Sequence, residues 1–517
     1  MPASPTFRGG SIDLMDTAFP TSRKPRPGDL LELHFTDLTP RGAGFAERTL
    51  PVGTPPQDRR FQFHVNGALP GDVGSVRVRR VRRGVVDAFL ESLITPSPDR
   101  IDAPCAHFRI PGEEHRACGG CTLQSWSHEQ QLQYKVQMTR NLLEAQGLDS
   151  GVLAPPLALP EPWRYRNKME LSFGRDADGQ YALGMHPPGR KYDIVVLEDC
   201  HLMRHESAQW IVPLRDWARD LGLEPFVRME RPGFLRTLTI REGFRTGERM
   251  LELTTTGDES VDTAEGTMDA AEVAQRFLQR ALEIHAEIGA ALTSVHWTQH
   301  HAVAGTRTRF ETRLLHGAET LAEELHVQGA KPLRFRIHPR AFFQPNSRGA
   351  ELLYGVVREL ALQGDPPQTA LDLYCGTGTI GMVLASHVPR VIGVELNEEA
   401  VANARTNAND NALTNLEFHA GDVGEVLARE GLSTPGSAEL VVVDPPRSGL
   451  FPAARAQLKT LAAPRMIYVS CNPRTLATDL ADLVASGWQL ESIHPVDMFP
   501  QTMHLENVVL LTRNALA

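Results

Sequence analysis

The second half of this chain alternates short apolar runs with helical patterns, and no other feature of the sequence limits its fold so strongly. ALDLY (370–374), RVIGVE (390–395), LEFHAG (416–421), ELVVVD (439–444) and RMIYVS (465–470) read as strands, interleaved with helical patterns such as EEAVANARTNANDNA (398–412) and RTLATDLADLVASG (474–487). Strands alternating with helices in this way predict a doubly wound α/β domain on a parallel sheet. The last two runs, WQLESIHPVDMF (488–499) and ENVVLLTR (506–513), are joined only by PQTMHL. A parallel crossover needs a dozen or more residues, so this final pair must be antiparallel.

The 517 residues divide into four regions by composition. Residues 1–26 lack periodicity and are expected to be a flexible tail. Residues 27–96 hold short β-rich runs (LLELHF, FQFHV, GSVRVRRV, VVDAFLESLI) between Gly/Pro turns, as in a small β-barrel. Residues 97–330 are a central α+β region. It contains a helical stretch at 128–150, expected to pack on the catalytic domain, and a long amphipathic helix at 268–292. Residues 331–517 are the α/β domain. No apolar run approaches the ~20 residues of a membrane span, and the N-terminus has no apolar signal-peptide core, so the chain is expected to be cytoplasmic.

The first strand of the α/β domain runs into Asp372-Leu-Tyr-Cys-Gly-Thr-Gly-Thr-Ile-Gly381, whose Gly376, Gly378 and Gly381 match G-x-G-x-x-G. Glycines there let the backbone approach a ligand at a helix N-terminus, for a dinucleotide or an S-adenosylmethionine alike. The next strands end in Glu395, Asp422 and Asp444. Ligands of open α/β sheets bind outside the carboxyl ends of strands, so Glu395 is placed for ribose hydroxyls and Asp422 for an adenine edge. Any one of these acids could instead cap a helix. The antiparallel ending is unusual for a dinucleotide dehydrogenase and typical of S-adenosylmethionine methyltransferases.

The fifth strand ends in Ser470-Cys471-Asn472-Pro473, which puts Cys471 on the same rim. A following helix N-terminus is expected to lower the thiol pKa below ~8.5. The last strand runs backwards, so its beginning, near His504-Leu-Glu506, reaches that rim too. A thiol nucleophile and a carboxylate base beside a methyl donor suggest C5 methylation of a pyrimidine: thiolate addition at C6 makes C5 nucleophilic, and a base then removes the C5 proton. A buried core cysteine is the plain alternative.

Four of the six cysteines, Cys105, Cys118, Cys121 and Cys200, fall in one stretch that includes C-G-G-C. In a reducing compartment such a group reads as metal ligands, and zinc and an iron–sulfur cluster fit the ligand count equally. Cys375 reads as a packing residue in the glycine loop.

Taken together, WRYRNKMELSFG (163–174), FFQPNS (342–347), LDLYCGTGTIG (371–381), VVVDPPRSG (441–449), YVSCNP (468–473) and QTMHLENV (501–508) make the chain resemble the RNA uracil-C5 methyltransferases, and within them the iron–sulfur-containing 23S rRNA enzymes. The resemblance implies an OB-like TRAM barrel at the N-terminus, a central domain with a [4Fe–4S] cluster on Cys105, Cys118, Cys121 and Cys200, and a Rossmann-like S-adenosylmethionine domain. It implies Cys471 as nucleophile and Glu506 as base. It also implies a cofactor site of Gln344, Tyr374, Gly376, Gly378, Thr379, Glu395, Asp422 and Asp444. Relatives usually have five residues between the first two cluster cysteines, whereas this chain has twelve.

The expected partner is RNA, 23S rRNA in the first instance, for a monomeric enzyme. Tying RNA to a chain of net charge −10 requires local basic patches. Two exist in the sequence. RVRRVRR (77–83) is either a phosphate-contacting stripe or a charged edge strand. Lys331, Arg334, Arg336, Arg340 and Arg348 surround Phe335, Phe342 and Phe343, which suits a flipped base or single strand unless those rings are core. The readings held beside this one are a tRNA uridine-C5 methyltransferase, a non-catalytic RNA-binding or assembly factor with a methyltransferase fold, and an N-methyltransferase suggested by Asp444-Pro-Pro-Arg447.

Overall fold

The computed structural model describes residues 23–52, 57–108, 116–227, 233–302, 305 and 308–513. Most of the expected tail and residues 109–115 of the loop between Cys105 and Cys118 therefore lie outside the described residues. The described residues form two compact units, one up to Asp102 and one from Ala103 onward.

The first unit is a six-stranded sheet in the order Leu30–His34, Val73–Arg82, Val85–Thr95, Gln57–Asn66, Gly44–Val52, Asp37–Leu38. Alternation sends Leu31, Leu33, Phe61, Phe63, Val76 and Val78 into its core and turns polar residues out. Leu30–His34 pairs with Val73–Arg77, and Val78 bonds to the backbone of Gly28 and Asp29, so beyond Val78 the strand Val73–Arg82 is paired on one side. Arg79, Arg80, Arg82 and Arg83 are exposed there. Arg77 is tied to Glu91 at 2.5 Å, and Arg79 lies over the Phe89 ring.

The second unit contains two large sheets. The first has seven strands, ordered Val195–Val196, Tyr181–Met185, Lys168–Arg175, Leu235–Glu242, Arg249–Thr256, Ser294–His301, Arg309–Gly317. Met169, Leu171, Leu238, Ile240, Leu251, Leu253, Val295 and Trp297 bury one face among Ile211, Leu214, Val273, Phe277 and Ile284 of the helices Ile211–Asp220 and Ala270–Ile288. Asp269 caps the longer helix, and Gly289 ends it in the left-handed conformation that glycine adopts without cost. The expected helix start at 268 is taken by a short hairpin, Ser260–Thr263 with Gly266–Asp269.

The second sheet has eight strands: Leu416–Ala420, Arg390–Glu395, Thr369–Leu373, Leu440–Val443, Arg465–Ser470, Glu506–Thr512, Gln489–Asp497 and Leu157–Ala158. The first five are parallel; Glu506–Thr512 is antiparallel to both of its neighbours. Helices cover both faces. Leu353, Val357, Met382 and Val383 belong to the core on one side, and Leu476, Leu480, Leu483 and Leu143 to the core on the other.

Leu143 belongs to the helix His128–Glu144, begun by Ser127, whose hydroxyl accepts from the Gln130 backbone N–H. Its mean hydropathy is low, and it is fastened by polar groups instead. Lys135, wholly buried, donates to the Asp497 carboxylate at 2.9 Å and to the Phe499 carbonyl at 3.2 Å. Gln131 donates to the carbonyls of Leu123 and Trp126 and exchanges hydrogen bonds with Gln501. Burial works against an ionised Asp497, but Lys135 and His128 hold its carboxyl below the usual range. Among the described residues no helix is long and apolar enough to cross a membrane. Lys135→Met leaves the Asp497 carboxylate buried with one partner fewer, at an expected cost of about 3–5 kcal/mol in urea unfolding. Combining it with Asp497→Asn should recover part of that loss.

Candidate active site

A cleft of about 880 Å³ opens at the carboxyl ends of the parallel strands. Its walls include Gln344, Tyr374, Gly376, Thr379, Glu395, Asp422, Asp444, Cys471 and Glu506. Every site residue expected from the α/β half therefore lines one space except Gly378. That glycine has φ +76° and caps the following helix, and a Cβ on it would lie 2.5 Å from the Phe418 ring. Its role visible here is close packing of the loop.

Backbone geometry explains how the loop is shaped. Tyr374 and Gly376 have φ +64° and +55°, turning the chain sharply after the strand. The turn delivers the Gly376 N–H to the Glu395 carboxylate at 3.1 Å, and the other Glu395 oxygen accepts from Asn397 N–H at 2.9 Å. Asp422 is a helix N-cap, accepting from the N–H groups of Gly424 and Glu425. Below the loop, Asp372 is fully buried, accepts from Gly381 N–H at 2.8 Å, and leaves its other oxygen without a hydrogen-bond partner.

The opposite wall is the loop before the helix Ser347–Ala361. Asn167 donates to the Gln344 carbonyl at 2.9 Å and to the Ser347 hydroxyl at 2.8 Å, and Asn346 donates to the Met498 carbonyl. The Tyr-Arg-Asn-Lys and Phe-Phe-Gln-Pro-Asn segments thus hold one another. Of the three phenylalanines there, Phe335 and Phe343 are core and pack together at 5.5 Å, while Phe342 is 68% exposed at the cleft.

Strand register brings Cys471 and Glu506 together. Ser470 pairs with Asn507 across the antiparallel strands, so the next position on one and the preceding position on the other form the adjoining rung. The expected lowering of the Cys471 pKa is not found. Burial, together with the Glu506 and Asp444 carboxylates, pushes the thiol up to about 11, against a smaller opposing pull from Arg447. The helix-terminus effect is worth at most ~2 kcal/mol and cannot outweigh desolvation beside two acids. Burial likewise raises Glu506 to about 8, with Asp444 adding to the effect, and raises Asp444 and Asp372 to about 7.

Arg447 is a member of the site that reading the sequence did not single out. Its carbonyl is held by the Asn472 side chain, its guanidinium donates to the His504 ring at 2.7 Å, and it attracts both Cys471 and Glu506. The signal was present in Asp-Pro-Pro-Arg, where a cation follows the rim acid by three residues. Phe499 also lines the cleft, from the loop that leads to Glu506.

The four grouped cysteines meet elsewhere in the unit. Cys105, Cys118, Cys121 and Cys200 line one small cavity with His107, Arg166 and Asp199, so the twelve-residue spacing still closes the group. Gly120 N–H points at the Cys118 sulfur at 3.4 Å. Burial pushes the Cys118 and Cys121 thiols up to about 12 and raises Cys200. A set of four soft thiol donors with a backbone N–H on sulfur is the chemistry that zinc or an iron–sulfur cluster takes. Among the described residues, however, no group of three or more His, Cys, Asp or Glu is arranged to hold a metal ion.

A glycine loop, a rim of acids and an antiparallel closing strand define an α/β methyltransferase fold. The chain belongs to the RNA methyltransferases, and the tRNA (uracil-5-)-methyltransferase family model matches its residues 290–514. An uncharacterized RNA methyltransferase of Protochlamydia amoebophila is 36% identical over 451 residues, 86% of this chain and 98% of that protein. One from Caldanaerobacter subterraneus is 36% identical over 453 residues, covering 87% and 93%. Among solved structures, the Pyrococcus abyssi tRNA (uracil-54, C5)-methyltransferase in complex with S-adenosyl-L-homocysteine superimposes with a TM-score of 0.66 at 25% identity, over 93% of this chain and 100% of that one.

The raised acids carry a sign for stability. A carboxyl whose pKa is higher folded than unfolded stabilises fully below the unfolded value and loses that contribution as pH rises through the folded one. For Asp372, Asp444 and Glu506 the window runs from the ordinary carboxylate range up to about 8. The melting temperature of the ligand-free protein should fall from pH 5 to pH 8.5, and Glu506→Gln should flatten part of that fall in a calorimetric series.

Proposed function

We propose that this protein transfers a methyl group from S-adenosylmethionine to C5 of uridine in RNA, with 23S rRNA as the substrate. The observation that carries the reading is the adjoining rung of Cys471 and Glu506 at the floor of a cleft rimmed by Glu395, Asp422 and Asp444. The methyl donor supplies an electrophilic methyl group. Gln344, Tyr374, Gly376, Thr379, Glu395, Asp422 and Asp444 would hold it, Gly378 keeping the loop in shape.

The chemistry follows from the residues. Uracil C5 is a poor nucleophile until the Cys471 sulfur bonds to C6, which places negative charge on C5 and O4. A thiol held at about 11 is mostly protonated at neutral pH, and Arg447 is the cation beside it that favours the thiolate. Once C5 carries the methyl group, Glu506 takes the C5 proton, the C5–C6 double bond re-forms and the Cys471 sulfur leaves. Burial raises Glu506 to about 8 in the empty cleft, and a cationic methyl donor beside it would draw it to the ionised form that can accept this proton. Phe342, exposed at the cleft mouth, is the stacking partner for the unstacked uridine.

The resemblance to 23S rRNA enzymes favours that RNA, with the N-terminal sheet as an OB-like TRAM barrel bringing exposed arginines to it. The tRNA reading is favoured by the Pyrococcus abyssi enzyme, which acts on tRNA. Cys471→Ala is expected to abolish methyl transfer while leaving fold and RNA affinity unchanged, and Glu506→Gln to accumulate a covalent protein–RNA adduct on a denaturing gel. Mapped in cells, Cys471→Ala should remove 5-methyluridine from 23S rRNA; its loss from tRNA alone would move the assignment to tRNA, and retained turnover would remove Cys471 as nucleophile.

For the four-thiol cavity the proposal is a [4Fe–4S] cluster on Cys105, Cys118, Cys121 and Cys200, supporting the fold rather than the reaction, which moves no electrons. Anaerobically purified protein should contain about four irons per chain with broad visible absorption, and Cys121→Ser should lose both. Stoichiometric zinc without visible absorption would overturn the cluster.

A further inference from the structure

The seven-stranded sheet ends at the edge strand Arg309–Gly317. Successive side chains of a strand point to opposite faces. On one face Arg309, Glu311 and Arg313 satisfy each other, with Arg313 over the Trp297 ring. On the other face lies Phe310, 39% exposed, opposite His300 in the register. The two rings are stacked, with centroids 4.6 Å apart and planes 7° from parallel. The Arg340 guanidinium sits 3.3 Å from the Phe310 centroid, and Arg340 also lines the cleft. Arg236 lies close enough to depress the His300 pKa, and its guanidinium is 4.4 Å from the Phe226 centroid.

A row of planar groups in contact therefore starts at the cleft, Arg340, Phe310 and His300, and a second guanidinium–ring pair, Arg236 over Phe226, lies on the same sheet beyond the intervening strand Arg249–Thr256. A charged edge strand guards a sheet against aggregation, but that purpose needs charge, not exposed rings alternating with guanidinium planes. Burial and the charges of Arg236 and Arg340 keep His300 below its usual pKa, so at neutral pH it is an uncharged aromatic plate stacked on Phe310.

We infer that this row is a docking surface for single-stranded RNA, holding the nucleotides that flank the target uridine as they leave the cleft. Guanidinium and aromatic planes stack on bases irrespective of sequence, and arginines pair with the phosphates between them. A regular duplex offers its bases only at its ends, so the surface selects an unpaired strand. The inference rests on RNA as the substrate of the cleft and adds to it the strand's exit path and its unpaired state.

The test uses full-length protein, a fluorescein-labelled oligouridine of about a dozen nucleotides and an RNA duplex of similar length, with binding read by anisotropy at two salt concentrations. Phe310→Ala is expected to weaken oligouridine binding roughly tenfold and leave duplex binding nearly unchanged, with Phe310→Trp restoring it. Arg236→Gln, at a half-buried position over Phe226, should weaken oligouridine binding and lower the salt slope by about one. In methylation of a long RNA, both variants should raise KM with kcat retained. Unchanged oligouridine affinity in Phe310→Ala and Arg236→Gln would overturn the inference, as would equal losses on strand and duplex. A wild-type protein that transfers no methyl group yet loses oligouridine binding in these variants would instead sink the uridine reading and leave this surface standing.

Discussion

The strand Glu506–Thr512 enters the eight-stranded sheet between Arg465–Ser470 and Gln489–Asp497, running against both. That insertion forces the preceding loop to cross the rim where the parallel strands end, because a reversed strand must begin where the others stop. The loop is consequently built as tightly as a core element. Lys135 is buried on Asp497 and the Phe499 carbonyl, and Tyr165 donates to the Pro500 carbonyl. The N–H groups of Thr122 and Leu123 both reach the Gln501 carbonyl, and Gln501 itself is held at φ +69°. A left-handed non-glycine residue costs of order 1–3 kcal/mol and persists only where its surroundings fix it. Thr122 and Leu123 directly follow Cys121, so the segment bearing the grouped cysteines is also the segment that fixes the approach to Glu506.

The electrostatics of the cleft follow from crowding acids in a sheltered place. Asp372, Asp444 and Glu506 are raised chiefly by burial, and Arg447 is the cation that opposes this at Glu506 and Cys471. A site arranged in this way favours a positively charged occupant, which would restore the acids to their ionised forms on binding. A sulfonium donor is such an occupant. Its charge would also bear on Cys471, which is raised in part by the same carboxylates.

What the sequence disclosed, and what it concealed, divides along local and non-local lines. The parallel strands and the rim positions of Glu395, Asp422, Asp444 and Cys471 follow from period and spacing within a few residues. The short PQTMHL link fixes the antiparallel pairing by length alone. The strand Gly44–Val52 was hidden because its start, Gly44-Phe45, reads as turn. The apolar run Ile194–Leu197 forms a strand only at Val195–Val196, with Asp193 adding an isolated bridge to Arg175. Lys135 looks like a solvated residue on a polar helix; its partner Asp497 is 362 residues away. The Cys471 pKa is hidden for the same reason, since a helix N-terminus is visible in the sequence and the burial and acids that outweigh it are not.

The seven-stranded sheet shows how such non-local terms shape the site. Leu235–Glu242, Arg249–Thr256 and Ser294–His301 are buried on both faces, so their sequences lack a clean alternation of apolar with exposed polar residues. One face is hydrophobic core. The other is a buried polar layer of Thr239, Arg241, Glu252, Thr254 and Thr298, in which Thr298 donates to Glu252 at 2.6 Å. From that layer Arg241 donates to the carbonyls of Pro339 and Ala341, gripping the loop that carries Phe342 and Gln344 from beneath while Asn167 grips it further along. Arg241 is lowered to about 10 by burial, yet it remains charged at neutral pH. A neutral side chain there would leave two buried carbonyls short of donors, at about 1–3 kcal/mol each. The polar layer of a sheet outside the glycine-loop domain is thus what sets the height of the cleft's outer wall.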